Sequence, residues 1–326
     1  MSRDRRRALS AFQAALASAQ ALLGDPPAPG AGLLPVPLGP ATPGTTSGTT
    51  PGTAPLPGLV AQCRALLEEA EARPPPLRCL LHLACTGGTL IARCLAALPN
   101  TRVLSEVDPL SDIGWPENGF FPTNVVGLAR FGSRPPDRAV LLEAFLAGLA
   151  TVHRDARRHG LDLVVRGHGH SHFHTGPDIP DRPALPEILG RLAPVRAVIS
   201  VRHPVDSLLS LRLNDWEHFS PATPEEYARR YHAFLDCHAD LPLLRYEDFV
   251  ADPDGAMGWL CARLELRPDP DFRQRLTLMR LSGDSGRRGD VIAPRPRRPC
   301  PEDLRAEIAA SDSFAALLAR LGYDGV

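Results

Sequence analysis

The residues best suited to chemistry lie in three short segments, each directly after a run of apolar residues. Residues 85–89 read CTGGT, residues 166–174 read RGHGHSHFH, and residues 202–210 read RHPVDSLLS. Together these segments supply hydroxyls, imidazoles, guanidinium groups and glycine-rich backbone. Such groups bind anions and accept protons, so the three segments are the candidates for a functional site.

The CTGGT segment is typical of an anion-binding turn between a strand and a helix. Gly87 and Gly88 let successive N–H groups point to one side, and a helix N-terminus adds partial positive charge. Thr86 and Thr89 add hydroxyl donors. It is not a Walker A loop, because the chain has no Lys and all 36 of its basic residues are Arg. The alternative is a tight turn whose glycines serve only packing.

The histidine-rich segment is open to three interpretations. His168 can act as a general base for an attacking hydroxyl, with Arg166 holding an anion. Alternatively, His168, His170, His172 and His174 would lie on one side of an extended segment and bind a metal ion. The third interpretation is a polar loop with solvated histidines.

The third segment combines Arg202 with Ser210. Arg202 follows an apolar run, Pro204 suits the first turn of a helix, and Ser210 would then lie about two turns along that helix. The two side chains can converge on one phosphate, since a planar guanidinium can hold two oxygens. The alternative for Arg202 is a surface ion pair, for which Asp206 is the candidate partner.

The elements that would position these segments alternate along the chain. Apolar runs predict five short strands, near residues 79–83, 103–104, 161–165, 195–201 and 241–245. Helical patterns cover residues 59–71, 89–97, 137–159, 222–239, 256–264 and 301–321. This alternation predicts a three-layer α/β fold, similar to P-loop NTPases, with a central parallel sheet of about five strands and helices on both faces. Ligands bind such sheets at the carboxyl ends of the strands, where the three segments fall.

Composition divides the chain into two parts. Residues 1–58 combine a short amphipathic helical pattern with a Pro-, Gly- and Thr-rich linker, and residues 59–326 form the predicted α/β domain. The formal net charge of −1 gives no reason to expect nucleic acid or an anionic membrane as a partner. The seven Cys are irregularly spaced, and neither a signal peptide nor a membrane span is evident. We therefore expect a cytoplasmic protein with free thiols.

In order and spacing, the three segments resemble motifs of the sulfotransferases that use 3′-phosphoadenosine 5′-phosphosulfate (PAPS). That family grips the 5′-phosphosulfate with K/R-[ST]-G-x-T and the 3′-phosphate with R-x-P-x-D-x-x-x-S, to which CTGGT and RHPVDSLLS are similar. Its K-x-H motif, whose His is the catalytic base, is similar to RGH at residues 166–168. LPLLRYEDFVADP at residues 241–253 and SGDSGRRGD at residues 282–290 extend the likeness.

The resemblance implies sulfuryl transfer from PAPS to a hydroxyl or amine of a small-molecule or carbohydrate acceptor, without a metal. His168 and Arg166 would be catalytic. The remaining implied site residues would bind the donor: Cys85, Thr86, Gly87, Gly88, Thr89, Leu90, Arg202, Ser210 and Arg287. The loop at residues 106–132, rich in Pro, Gly and Phe, is a candidate wall of the acceptor pocket, and the alternative is a loop that caps the core.

The chain departs from the family pattern at Cys85, where a thiol replaces the basic residue that stabilises the leaving oxygen. Arg166 or Arg93 would have to supply that charge. Two alternatives therefore remain open. One is a non-catalytic relative that binds PAPS or its product 3′-phosphoadenosine 5′-phosphate (PAP), and the other is a metal-dependent hydrolase built on the histidines from His168 to His174.

Overall fold

The computed structural model of the chain describes residues 74–113, 123–282 and 291–325, together with Gly58, Val60 and Gln62. The first elements are β1 (Leu77–His82), α1 (Gly88–Ala96), β2 (Thr101–Val107), α2 (Val125–Arg130), α3 (Arg138–Arg158), β3 (Asp162–Gly167), α4 (His170–Phe173), β4 (Thr175–Gly176) and α5 (Leu185–Gly190). The chain continues with β5 (Val195–Val201), α6 (Pro204–Leu213), β6 (His218–Phe219), α7 (Pro224–Cys237) and β7 (Leu243–Arg245). It closes with α8 (Tyr246–Ala251), α9 (Pro253–Leu264), α10 (Phe272–Arg275), a 3-10 turn (Leu276–Leu278), α11 (Glu302–Ala309) and α12 (Asp312–Leu321).

Five strands form the central sheet, in the order β2–β3–β1–β5–β7. Every neighbouring pair in this sheet is parallel. The central strand β1 is buried along its whole length, which explains why its sequence is an almost continuous apolar run. The short strands β4 and β6 pair separately from this sheet.

The side chains of β1 alternate between two hydrophobic clusters. Leu77, Cys79 and Leu81 pack in a cluster with residues of α3, α6, α7 and α12. Leu80 faces the opposite way and packs in a cluster with residues of α1 and α9. Because successive side chains of a strand point to opposite faces, helices cover both faces of the sheet. The predicted three-layer α/β fold with a parallel sheet of about five strands is confirmed.

Two predicted elements differ from those observed. The helical pattern at residues 301–321 is two helices, because the Ser311 hydroxyl accepts a hydrogen bond from the Phe314 N–H and starts α12 anew. Strand β2 is longer than the two residues predicted, since an edge strand with polar residues lacks a continuous apolar run. Its register with β3 shifts between Leu104 and Val107.

The predicted boundary between residues 58 and 59 stays a prediction. Residues 1–57 and most of the predicted helix at residues 59–71 lie outside the described residues. The elements above all belong to one unit, Gly58–Val326. In the part of the chain that the structure describes, no helix combines the length and apolarity of a membrane span.

Candidate functional site

The carboxyl ends of β1, β3 and β5 open into one cavity of about 1090 Å³. Nine of the eleven predicted site residues line it: Cys85, Gly87, Gly88, Thr89, Leu90, Arg166, His168, Arg202 and Ser210. They meet because β3, β1 and β5 are adjacent in the sheet, so the segments that follow these strands emerge side by side. Arg287 lies outside the described residues.

In the turn between β1 and α1, neighbouring aromatic side chains lie too close to the two glycines for a larger residue to fit. Gly87 has a φ of 87°, in the left-handed region, and a Cβ there would lie 2.1 Å from the ring of Tyr246. At Gly88 a Cβ would lie 2.2 Å from the ring of His82. The turn therefore needs glycine at both positions.

The two threonines of the turn have different surroundings. Thr86 is fully buried, and its hydroxyl donates to the carbonyl oxygen of Leu83 at 2.8 Å. This bond closes the turn from inside. Thr89 lines the cavity at the start of α1, and its Oγ1 accepts a hydrogen bond from Arg166.

Arg166 brings a positive charge to this turn from β3. The guanidinium is buried and donates to three side-chain atoms at 2.8 Å each: Nε2 of His82, Oγ of Ser105 and Oγ1 of Thr89. Its Nη2 also lies 2.6 Å from Oε1 of Glu106. Five N–H donors in a fixed plane suit this convergence, which a lysine could not reproduce.

Arg93, the other candidate for the charge missing at Cys85, also lines the cavity. Arg93 donates to the backbone carbonyls of Leu276 and Met279, on the side of the 3-10 turn. Arg166, by contrast, contacts Thr89 directly. Arg166 therefore reaches the turn through a direct hydrogen bond and is the stronger candidate for that charge.

Arg202 and Ser210 converge, as their spacing predicts. Helix α6 begins at Pro204, and Nη1 of Arg202 lies 3.5 Å from Oγ of Ser210 and 3.1 Å from the carbonyl oxygen of Cys85. The guanidinium also stacks 5.3 Å from the centre of the Tyr246 ring. Asp206 was the alternative partner predicted for Arg202. Its carboxylate pairs instead with Arg297, with 3.2 Å between Nε of Arg297 and Oδ1 of Asp206.

The premise of the metal interpretation is wrong, because the histidine segment is not extended. Residues 170–173 form the helical turn α4, so the four imidazoles do not line one side of an extended segment. Nε2 of His170 lies 3.0 Å from Nδ1 of His218, His172 stacks on Phe173, and His174 is fully buried. Within residues 74–113, 123–282 and 291–325, no three His, Cys, Asp or Glu side chains are arranged to hold a metal ion.

His168 faces the cavity with 28% of its side chain exposed. Burial lowers the pKa of His168 below its ordinary 6.5. Asp108 opposes this pKa shift, whereas the positive charges of Arg166 and Arg182 add to it. The imidazole is therefore neutral near pH 7 and can accept a proton.

Glu106 is a candidate functional residue that the motifs did not indicate. It lines the cavity, with Oε1 against Arg166 and Oε2 3.8 Å from Nε2 of His168. Its backbone is left-handed, with a φ of 59°. Burial raises the pKa of Glu106, and the charge of Arg166 opposes that rise. The signal in the sequence that could have indicated Glu106 is a carboxylate near the end of a strand. That strand, β2, lies at the edge of the sheet beside β3, which carries Arg166.

Fold and site together define an α/β protein with an arginine- and glycine-lined cavity at the carboxyl edge of a parallel sheet. No protein-family profile matches the chain, and no curated protein matches it in sequence.

In fold the chain is similar to solved sulfotransferases. The sulfotransferase domain from the curacin biosynthetic pathway is 16% identical with a TM-score of 0.48, covering 78% of this chain and 100% of that one. The sulfotransferase domain from the Synechococcus PCC 7002 olefin synthase is 19% identical with a TM-score of 0.44, covering 77% and 96%. Mouse sulfotransferase SULT7A1, complexed with PAP, is 10% identical with a TM-score of 0.37, covering 78% and 87%. These likenesses concern the fold alone, and the proposal below rests on the geometry of the site.

Proposed function

We propose that the chain transfers the sulfuryl group of PAPS to a hydroxyl or amine acceptor. The observation that carries the proposal is the meeting of two anion-binding groups in one cavity. Nη1 of Arg202, beside Ser210, lies 3.1 Å from the carbonyl of Cys85 in the glycine turn. A nucleotide with phosphates at both its 3′ and 5′ positions matches two such groups side by side.

The residues present suit this donor. The N–H groups of Gly87, Gly88 and Thr89 would hold the 5′-phosphosulfate, because they lie at the N-terminus of α1, where backbone donors and the helix dipole favour an anion. Arg202 and Ser210 would hold the 3′-phosphate, which distinguishes PAPS from ATP. Leu90 lines the same cavity, and Arg287 stays a proposal from the sequence.

In the transfer step, His168 would take the proton of the acceptor hydroxyl. PAPS supplies the activated sulfuryl group: the acceptor oxygen bonds to sulfur while the bond from sulfur to the 5′-phosphate oxygen breaks and leaves its electrons on that oxygen. Arg166 would stabilise the charge that develops there, from its fixed position at Thr89. Glu106 would stabilise the protonated His168 from 3.8 Å.

The thiol at position 85 favours one alternative, a non-catalytic protein that binds PAP. Losing one well-placed donor to developing charge costs about 3–4 kcal/mol in a transition state. The contact of Arg166 with Thr89 is the feature that argues for retained transfer, because it brings a positive charge to the same turn.

Calorimetric titration with PAP tests the donor site. We expect wild type to bind, and Arg202→Ala and Ser210→Ala to bind more weakly, Arg202→Ala by about 10- to 100-fold, because a hydrogen bond to a charged group contributes about 1.5–3 kcal/mol. Arg196→Ala is the matched control, since Arg196 is half exposed and pairs with Glu265 on the surface. Absence of PAP binding at millimolar nucleotide would refute the proposal.

Incubation with sulfur-labelled PAPS and a panel of phenols, sugars and amines tests transfer itself. Labelled product that requires Arg166 and His168 supports the enzyme. PAP binding without labelled product from any acceptor supports the non-catalytic alternative.

A further inference from the structure

His82 is a buried histidine that belongs to none of the sequence motifs. It is the last residue of β1, it is 5% exposed, and it lies between the glycine turn and Arg166. A Cβ at Gly88 would collide with its ring, and one at Gly169 would lie 2.5 Å from its carbonyl oxygen. The ring therefore occupies the space that Gly88 leaves open and has little freedom to move.

The partners of His82 determine its tautomer. Nδ1 lies 2.8 Å from the carbonyl oxygen of Leu83, which can only accept, so Nδ1 carries the hydrogen. Nε2 then has a free lone pair, and it accepts the Nε–H of Arg166 at 2.8 Å. A second proton on the ring would face the guanidinium.

This arrangement requires a neutral imidazole, and its surroundings keep it neutral. Burial and, to a lesser extent, the positive charge of Arg166 together lower the pKa of His82 to about 3. His82 thus remains a hydrogen-bond acceptor at any pH near neutrality.

We propose that His82 is a positioning residue for Arg166. By accepting the Nε–H, it turns the guanidinium so that Nη1 reaches Ser105 and Nη2 reaches Thr89 at the turn. Glu106 competes for the same guanidinium through its contact with Nη2. Without the acceptor at His82, Arg166 would rotate toward the Glu106 carboxylate and away from the turn. The inference rests on the proposed function, in which Arg166 stabilises the leaving oxygen.

Two substitutions separate hydrogen bonding from packing at His82. His82→Phe keeps an aromatic ring but has no acceptor, whereas the amide oxygen of His82→Gln reaches the place of Nε2. We expect His82→Phe to lower kcat by about 10- to 100-fold with a small change in the KM for PAPS, and His82→Gln to restore most of that loss. Equal losses in the two variants would overturn the proposal.

A double-mutant cycle with Arg166→Ala tests whether His82 acts through Arg166. We expect His82→Phe to cause no further loss of kcat once Arg166 is absent. If the two losses multiply, His82 acts independently of Arg166 and the proposal fails.

Nitrogen NMR of 15N-histidine-labelled protein gives a readout that needs no enzyme activity. We expect His82 to be the neutral Nδ1–H tautomer between about pH 5 and 8, with an Nε2 shift that moves in Arg166→Ala. A titrating His82, or the Nε2–H tautomer, would overturn the inference. If the NMR result holds but wild type transfers no sulfuryl group, the proposed function fails while the His82–Arg166 contact stands.

Discussion

Arg166 and His168 lie two residues apart, yet the side chain of Arg166 is held in place while that of His168 is partly exposed. The guanidinium of Arg166 is held by partners on several sides, whereas His168 keeps a quarter of its side chain open to the cavity. Charge stabilisation needs fixed geometry, and proton transfer needs access to the acceptor. The two side chains are therefore suited to different steps of one reaction.

The pKa of His168 predicts the pH dependence of transfer. Because burial lowers this pKa below 6.5, the neutral, proton-accepting form already dominates at pH 6.5. We expect kcat/KM to rise with pH through a pKa below 6.5 and to be level above it, as initial rates with labelled PAPS would show.

His168→Ala should lower kcat by about 10²- to 10⁴-fold at neutral pH, where His168 is the neutral base, and leave PAP affinity unchanged. His159→Ala is the control, since the His159 side chain is 64% exposed on the surface. Full activity in His168→Ala would assign the base to another group, and Glu106→Gln would then be the variant that loses activity.

At the scale of elements, helix α7 holds the histidine segment through one fully buried side chain, Arg230. Its Nε lies 2.5 Å from Oε1 of Glu226. The other guanidinium nitrogens donate to four backbone carbonyls, those of Phe173, Thr175, Gly176 and Pro177. One side chain thus fixes the loop after α4 and, through it, the wall of the cavity beside His170.

Arg230→Met should lower the free energy of unfolding by about 3–5 kcal/mol, because it leaves buried acceptors without a donor. Arg229→Met is the matched control: Arg229 pairs with the same Glu226 but is 54% exposed, so its loss should cost about 1 kcal/mol or less. Urea unfolding measures both. Equal destabilisation by the two variants would show that burial of the arginine is not the source of its contribution.

Across the fold, the proposed donor site draws on strands on both sides of the central strand β1. The glycine turn follows β1, Arg166 comes from β3 and Arg202 follows β5. A ligand that spans these strand ends would link them, so its binding should raise the stability of the whole unit.

PAP at 100 times its dissociation constant should stabilise the folded chain by about 2.7 kcal/mol. For a domain of this size we expect a rise in Tm of about 5–10 °C. AMP, which lacks the 3′-phosphate, should raise Tm less at the same concentration. Arg202→Ala should remove the difference between the two nucleotides in a thermal-shift assay, and equal shifts for PAP and AMP with wild type would contradict the 3′-phosphate site.

The strands and the turns that follow them can be read from the local pattern of residues. Buried parallel strands such as β1 and β5 are mostly apolar, and glycines, prolines and polar residues mark their ends. Because parallel strands share one carboxyl edge, this was enough to predict that Gly87, Arg166 and Arg202 would meet. The spacing of the histidines was not enough, since it fits an extended segment and the turn α4 equally well.

The side chains that lie between these segments, by contrast, depend on how the chain packs. Glu106 reaches Arg166 because β2 lies next to β3 and its backbone turns left-handed there. His82 supports Arg166 because β1 and β3 are paired neighbours. These contacts depend on strand order and on rotamers fixed by distant parts of the chain, and no local spacing in the sequence encodes either.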